Sequence, residues 1–167
     1  MKQQYPALRL HKVWNEKDEV LINEIIDVWR NAKVLPPNSD PHERAKQVVL
    51  VVRNENEKII GITTALRRPF PQLRNDLYYV RGLILPDFRL PGLFAKMSLE
   101  TFKTLEDHTI QSTEQKKPIG TISEIENKRL KEANLTRLPS GMTLLGFSQN
   151  NNPIYVHYFK GAQFQLN

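Results

Sequence analysis

Between Ile84 and Ala95 the chain reads Ile-Leu-Pro-Asp-Phe-Arg-Leu-Pro-Gly-Leu-Phe-Ala, a buried-type strand running almost directly into a helix. A helix N-terminus presents free amide hydrogens and a partial positive charge, so such a junction can hold an anion such as phosphate. Gly92 has no side chain to keep a pyrophosphate from the backbone, and Arg89 can add charge beside it. Pro91 suits the first helical position, where its missing donor costs little. The plain alternative is that Pro86 ends a strand, Pro91 starts a helix and Gly92 is incidental.

Other chemistries are poorly represented. Cysteine is absent, which excludes disulfides, thiolate metal ligands and a cysteine nucleophile. His11, His42, His108 and His157 are far apart and none belongs to a spacing such as His-Glu-x-x-His, so no metal site is expected. Neither a Gly-x-Ser-x-Gly elbow nor a Gly-x-x-x-x-Gly-Lys-Ser/Thr phosphate loop occurs.

Charge is unevenly placed within a net of +6. Residues 67–96 hold six basic side chains (Arg67, Arg68, Arg74, Arg81, Arg89, Lys96) against Asp76 and Asp87. Residues 116–137 hold another six against Glu124, Glu126 and Glu132, whereas residues 97–115 are acidic. Such clusters concentrate an anionic partner, be it a nucleotide-containing cofactor, RNA or an acidic protein. A solvated surface that keeps the chain soluble explains charge alone equally well. Residues 1–6 lack the apolar core of a signal peptide, and no apolar run approaches the roughly 20 residues of a membrane span. A soluble cytoplasmic protein without membrane contact is the expectation.

With 167 residues, 40% of them hydrophobic, the chain suits one domain with one substantial core. Residues 8–14 alternate apolar and polar as a half-buried strand does. Asn15 then reads as a cap for a helix over 16–33, with Asp18 in its first turn and Leu21, Ile25, Val28 and Ala32 at helical spacing. After Pro36, Pro37 and Pro41, residues 43–46 can make a helical turn, and 48–53 with 58–65 read as a hairpin across a polar turn. Residues 77–85 form a further strand, 92–107 a helix, 118–122 a strand, 124–134 a helix, and 142–148 with 154–160 a terminal strand pair. The order β-α-ββ-β-α-β-α-ββ describes one mixed sheet with helices packed on it.

The 84–95 stretch resembles the acetyl-CoA-binding motif of the GNAT acyltransferases, commonly Val-x-Pro-x-x-Arg-Gly-x-Gly-x-Gly/Ala. Ile84, Pro86, Arg89 and Gly92 occupy corresponding positions, and Phe88 stands where an aromatic residue is common. Asp18 early in the first helix, Gly61 in the hairpin and the terminal strand pair follow the same order, so the resemblance spans nearly the whole chain. Two residues depart from it: Phe94 replaces a Gly or Ala, and Pro91 removes one possible amide donor.

The resemblance implies a mixed α/β fold, a twisted central sheet of about seven strands flanked by about four helices, as a single domain over 1–167. It implies acetyl-CoA, or another acyl-CoA, as the bound cofactor. Its pantetheine arm would enter a gap between the fourth and fifth strands beside Leu83, Ile84 and Leu85, with Arg89, Leu90, Gly92, Leu93 and Phe94 around its phosphates. An unidentified amine would lose a proton to a base and attack the thioester, and an acid would protonate the departing thiolate.

The family's usual acid is a Tyr seven residues after an Asn in the last helix, and that place is taken here by Asn134, which has no titratable proton. Tyr155 is carried forward as the substitute acid, with His157, Ser140 and Tyr79 as further options. Tyr155, His157 and Phe159 share one strand face, so aromatic packing is the competing explanation. Glu124 is the candidate base, against its reading as an acid favoured by the dipole of a helix's first turn. The enzymatic reading leads; the alternative is a GNAT-like module without catalysis that acts through a protein or RNA partner. A homodimer fits either.

Overall fold

The computed structural model describes residues 7–164. Residues 1–6, on which the expectation of no signal peptide rests, lie outside them.

An apolar run with no polar face has nothing to offer water and belongs in the middle of a sheet. Residues 48–52 obey this: each is at most 1% exposed in β2 (Val48–Arg53), between β1 (Arg9–Lys12) and β3 (Ile59–Phe70). Asn54 closes the β2–β3 hairpin, its Oδ1 accepting the amides of Asn56 and Lys58 at 3.0 Å. β3 continues past the expected end at Ala65 and through Pro69. Beyond Thr64 it has no β2 partner, and an edge tolerates proline's missing amide. β4 (Asn75–Ile84) pairs antiparallel with β3, and β5 (Gly120–Glu124) lies parallel to β4. With β7 (Pro153–Tyr158) and β6 (Thr143–Phe147) they make a seven-stranded sheet in the order β1-β2-β3-β4-β5-β7-β6.

Helices cover both faces. Ile22, Ile25, Ile26 and Trp29 of α1 (Glu19–Asn31) and Ala45 of α2 (Pro41–Lys46) pack on Val48, Val51 and Ile62. On the other face Leu93 and Met97 of α3 (Leu93–Gln111) meet Leu50, Val52 and Ile84, while Phe102 and Leu105 meet Val49, Tyr78 and Val80. α4 (Lys128–Glu132) is short. The architecture is mixed α/β, seven strands and four helices among the described residues. None of those helices is long and apolar enough to cross a membrane.

Three expectations need correction. α1 starts three residues late because Asp18 caps it, accepting the Leu21 amide at 2.8 Å, while Asn15 sits in a left-handed turn at φ 61°. The helix expected over 124–134 shrinks to α4, because Glu124 ends β5 and Asn127 is the cap, accepting the Leu130 amide at 3.1 Å. Pro91 is not the first helical residue: Gly92 is the N-cap, at φ 79°, and Pro91 precedes it.

Gly120 has no room for a side chain. A Cβ there would lie 2.2 Å from the His157 carbonyl oxygen of β7.

Candidate functional site

β4 and β5 are paired only at Tyr78 with Thr121 and Tyr79 with Ile122. Beyond that the Ser123 hydroxyl donates to the Val80 carbonyl at 3.0 Å, a side-chain link where a ladder bond would stand, and β4 runs on to Ile84 without a β5 partner. The sheet is therefore open between the C-terminal ends of its two parallel strands.

Strand alternation fixes which backbone groups face the opening. The Leu85 amide donates to the Ile60 carbonyl at 2.9 Å, so Leu85, and Leu83 two residues back, direct their backbone groups to β3. Val80, Gly82 and Ile84 direct theirs the other way, as the Ser123 bond to Val80 and an Arg89 Nε bond to the Ile84 carbonyl at 3.4 Å both attest. Of the predicted trio Leu83, Ile84 and Leu85, only Ile84 offers backbone to the gap. Gly82 does so too, and the period-2 rule applied from Ile84 would have found it.

The strand then enters a 3-10 turn at Pro86–Phe88, where the Phe88 amide donates to Leu85 at 2.9 Å. Leu90 accepts the Leu93 amide at 3.2 Å, and no side chain caps α3, which leaves the Phe94 and Ala95 amides at an open helix end. A Cβ built on Gly92 would meet nothing within 4 Å outside its own stretch of chain. Since Pro91 stands outside the helix, its missing donor takes nothing from that end. Leu93 and Ile84 are buried in the core, and Leu90 packs against it. The Phe94 ring leans on the bare backbone of Gly82, so close that a Cβ on Gly82 would be 2.6 Å from Cε2. It is 39% exposed and leaves the β4–β5 opening unbridged by backbone.

On the opposite face, Glu124 accepts three hydrogen bonds. Tyr79 Oη donates to Oε2 at 3.0 Å, while Ser148 Oγ and Asn152 Nδ2 donate to Oε1 at 2.7 and 2.9 Å. Lys131 Nζ donates to Asn152 Oδ1 at 2.8 Å, which fixes the amide with its nitrogen toward Glu124. These bonds favour the ionised form and hold the Glu124 carboxyl below its usual range, Ser148's contributing most, then Asn152's. Tyr79 moves up instead, chiefly through burial and then through its bond to Glu124. The pair at neutral pH is a carboxylate and a protonated phenol. Neither Ser148 nor Asn152 is visible as a partner in sequence, except that Asn152 closes the polar run 149–152.

A carboxylate whose folded pKa lies below its unfolded one stabilises the fold above the unfolded value, near 4.5, and loses that stabilisation as pH falls through the folded value. Acid unfolding of Glu124→Gln should therefore lack part of the stability loss that the parent protein shows below about pH 4.5. Superimposable acid-unfolding curves for the two proteins would contradict the bond network.

Tyr155 and Glu124 are not brought together. Tyr155 pairs with Ser123 and Ile154 with Glu124, so their side chains leave the sheet on opposite faces. Tyr155 is 2% exposed, and its hydroxyl donates to the Leu135 carbonyl at 2.5 Å, tying β7 to the loop after α4. His157 stacks on Phe102 at 4.8 Å, and burial lowers its pKa. Asn134 adopts a left-handed φ of 49° just past the end of α4, a place that favours Asn over Tyr. The helix has ended before the position where the resemblance puts an acid.

Part of the basic surface is neutralised. Arg67 donates to Asp76 at 2.9 Å, to Glu114 and to the Lys116 carbonyl, and Lys116 pairs with Asp76 at 3.6 Å. No group of three metal-ligating side chains occurs among the described residues.

No protein-family model and no curated protein matches the chain by sequence. Solved structures do match by shape. A GNAT-family acetyltransferase from Streptococcus pneumoniae is similar with a TM-score of 0.61 at 10% identity, over 92% of this chain and 100% of that one. The ribosomal-protein-S5-alanine acetyltransferase of Vibrio fischeri gives 0.60 at 11% identity over 98% of each chain. AtaTR, solved with AcCoA bound, gives 0.58 at 12% identity over 92% of this chain and 94% of its own. At such identities the likeness is one of fold, and the fold of this chain is that of the GNAT acetyltransferases.

Proposed function

We propose that this chain, read as one domain, is a divergent GNAT acyltransferase that moves an acetyl or other acyl group from acyl-CoA to an amine. The observation that carries the reading is the lapse of β4–β5 pairing, with Gly82 and Ile84 facing the gap and β4 leading into the uncapped end of α3. Backbone donors and acceptors along one wall suit the amides of a pantetheine arm, and the helix end with Arg89 suits its phosphates. The bound thioester would supply an activated acyl group.

The chain's own part is positioning and proton handling. Glu124, kept ionised by its three donors, accepts the proton that the amine sheds as it bonds to the acyl carbon. Tyr79, kept protonated by burial and Glu124, is the better placed acid for the departing thiolate than Tyr155, whose hydroxyl is committed on the far face. Tyr155 then acts as a tie that holds the β6–β7 unit against the loop after α4.

Calorimetry with acetyl-CoA tests the donor site. The parent chain should bind it, and Arg89→Glu, which places a negative charge at the helix end, should weaken binding by about tenfold or more. Absent binding, or binding indifferent to the substitution, removes the donor-site assignment. Binding without product from any amine favours the non-catalytic module, for which the Phe94 ring on Gly82 is the structural argument.

A further inference from the structure

A cavity of about 240 Å³ opens on the α1–α2 side between α2, β3 and β4, with Tyr79 in its wall. Three arginines converge on it from three elements, Arg44 of α2, Arg68 of β3 and Arg81 of β4. Among the described residues no carboxylate forms an ion pair with any of them. The acids in the same wall are engaged elsewhere. Asp40 Oδ1 caps α2 by accepting the His42 and Glu43 amides at 2.9 and 3.3 Å, and Glu43 pairs with Lys46 at 2.5 Å.

The guanidinium groups rest on aromatic rings instead. Arg44 lies 5.5 Å from the Trp29 centroid, and Arg68 and Arg81 lie 5.8 and 5.3 Å from that of Tyr79. Arg44 Nε is buried with no acceptor, and burial followed by the charge of Arg81 lowers the Arg44 pKa. The Glu124 carboxylate offsets part of the Arg81 charge; the like charges left around the cavity repel one another, and a buried donor without a partner is costly. An anion in the cavity relieves both, and the planar guanidinium fork matches the paired oxygens of a carboxylate or phosphate.

We propose that this pocket receives an anionic oxyacid group, carboxylate or phosphate, carried by the amine acceptor. The cavity is smaller than the roughly 300–1,000 Å³ of sites for drug-sized ligands, which fits a small head group. The ring of Tyr79 links the two ends: Arg68 and Arg81 flank it, and its hydroxyl meets Glu124 at 3.0 Å. An acceptor anchored by its anion runs along that ring and brings its amine toward the carboxylate. The word acceptor rests on the acyltransferase reading; the anion site itself does not.

The test is calorimetry on the full chain without acyl-CoA, with matched amines: phosphoethanolamine against ethanolamine, and β-alanine against propylamine. The anionic member of at least one pair should bind about tenfold tighter or better, and the winning pair tells phosphate from carboxylate. Arg68→Gln combined with Arg81→Gln, both exposed side chains, should abolish that advantage. Equal affinities within both pairs, or an advantage that survives the double substitution, overturns the site. Acetyl-CoA titrated separately keeps the two ideas apart. A chain that prefers the anion but ignores acetyl-CoA retains the pocket and loses acyl transfer, and the reverse result does the opposite.

Discussion

Glu124→Gln is expected to lower kcat for acyl transfer by about 10²- to 10⁴-fold while leaving acetyl-CoA affinity within about twofold, because it removes a proton acceptor and not a donor-site contact. The substitution keeps the side chain's shape, and the glutamine carbonyl can still accept from Ser148 and Asn152, while its NH2 cannot accept from Tyr79. Tyr79→Phe should fall in the same range if the phenol supplies the leaving-group proton. Since the two groups share one hydrogen bond, their effects should not add. The double variant should be little slower than the worse single variant, as for residues that act as a unit. Steady-state rates on any amine that the parent enzyme acetylates decide the matter. A Glu124→Gln enzyme with parental kcat would leave the carboxylate a structural role only, and fully additive losses would mean that Tyr79 and Glu124 work on different steps.

Gly120→Ala should destabilise the fold by about 3 kcal/mol or more, a size reserved for substitutions with a specific steric cause. The atoms in the way belong to backbone: the His157 carbonyl oxygen at 2.2 Å and the Tyr158 Cα at 3.0 Å from the new methyl group. No rotamer change relieves such a contact. Either β7 moves off β5, breaking the pairing of Gly120 with Tyr158 and Thr121 with His157, or β5 itself shifts. Urea unfolding measures the loss, which at a slope of about 1–3 kcal/mol per molar corresponds to a midpoint lowered by about 1 M or more. Gly146→Ala is the control: nothing lies within 4 Å of its added methyl, and its effect should stay within about 0.5 kcal/mol. Equal midpoints for the two variants would contradict the β5–β7 packing. The same displacement would carry Glu124, four residues along β5, away from Ser148 and Asn152, so catalysis should fall with stability.

Most element positions were legible because they follow local rules. Residues 48–53 read as one strand of a hairpin, as the structure has them, and the spacing of Ala95, Leu99, Phe102 and Leu105 reads as a helix with one buried face, which the structure extends to Gln111 but turns so that Leu99 is exposed and Met97 is buried. Boundaries slipped where two residues of one type competed for a single role. Asn15 and Asp18 both make good caps, and only the packed helix shows that Asp18 holds the Leu21 amide. Glu124 suits a helix start because acids favour that position, yet it is the last residue of β5.

The site was legible in its halves and not in its assembly. The run from Ile84 to Gly92 announced a strand meeting an open helix end, since proline, glycine and arginine carry their conformational and electrostatic preferences wherever they stand. What the tertiary structure alone decided is which groups meet. Tyr79, Glu124, Ser148 and Asn152 come from β4, β5 and the β6–β7 hairpin, and strand order brings the other three within 3.0 Å of the Glu124 carboxylate. Tyr155, chosen by type, leaves the sheet on the opposite side because strand residues alternate faces and its pairing with Ser123 fixes the parity. Residue type is a local property, whereas register, face and the loss of pairing beyond Tyr79 depend on distant strands packed against each other.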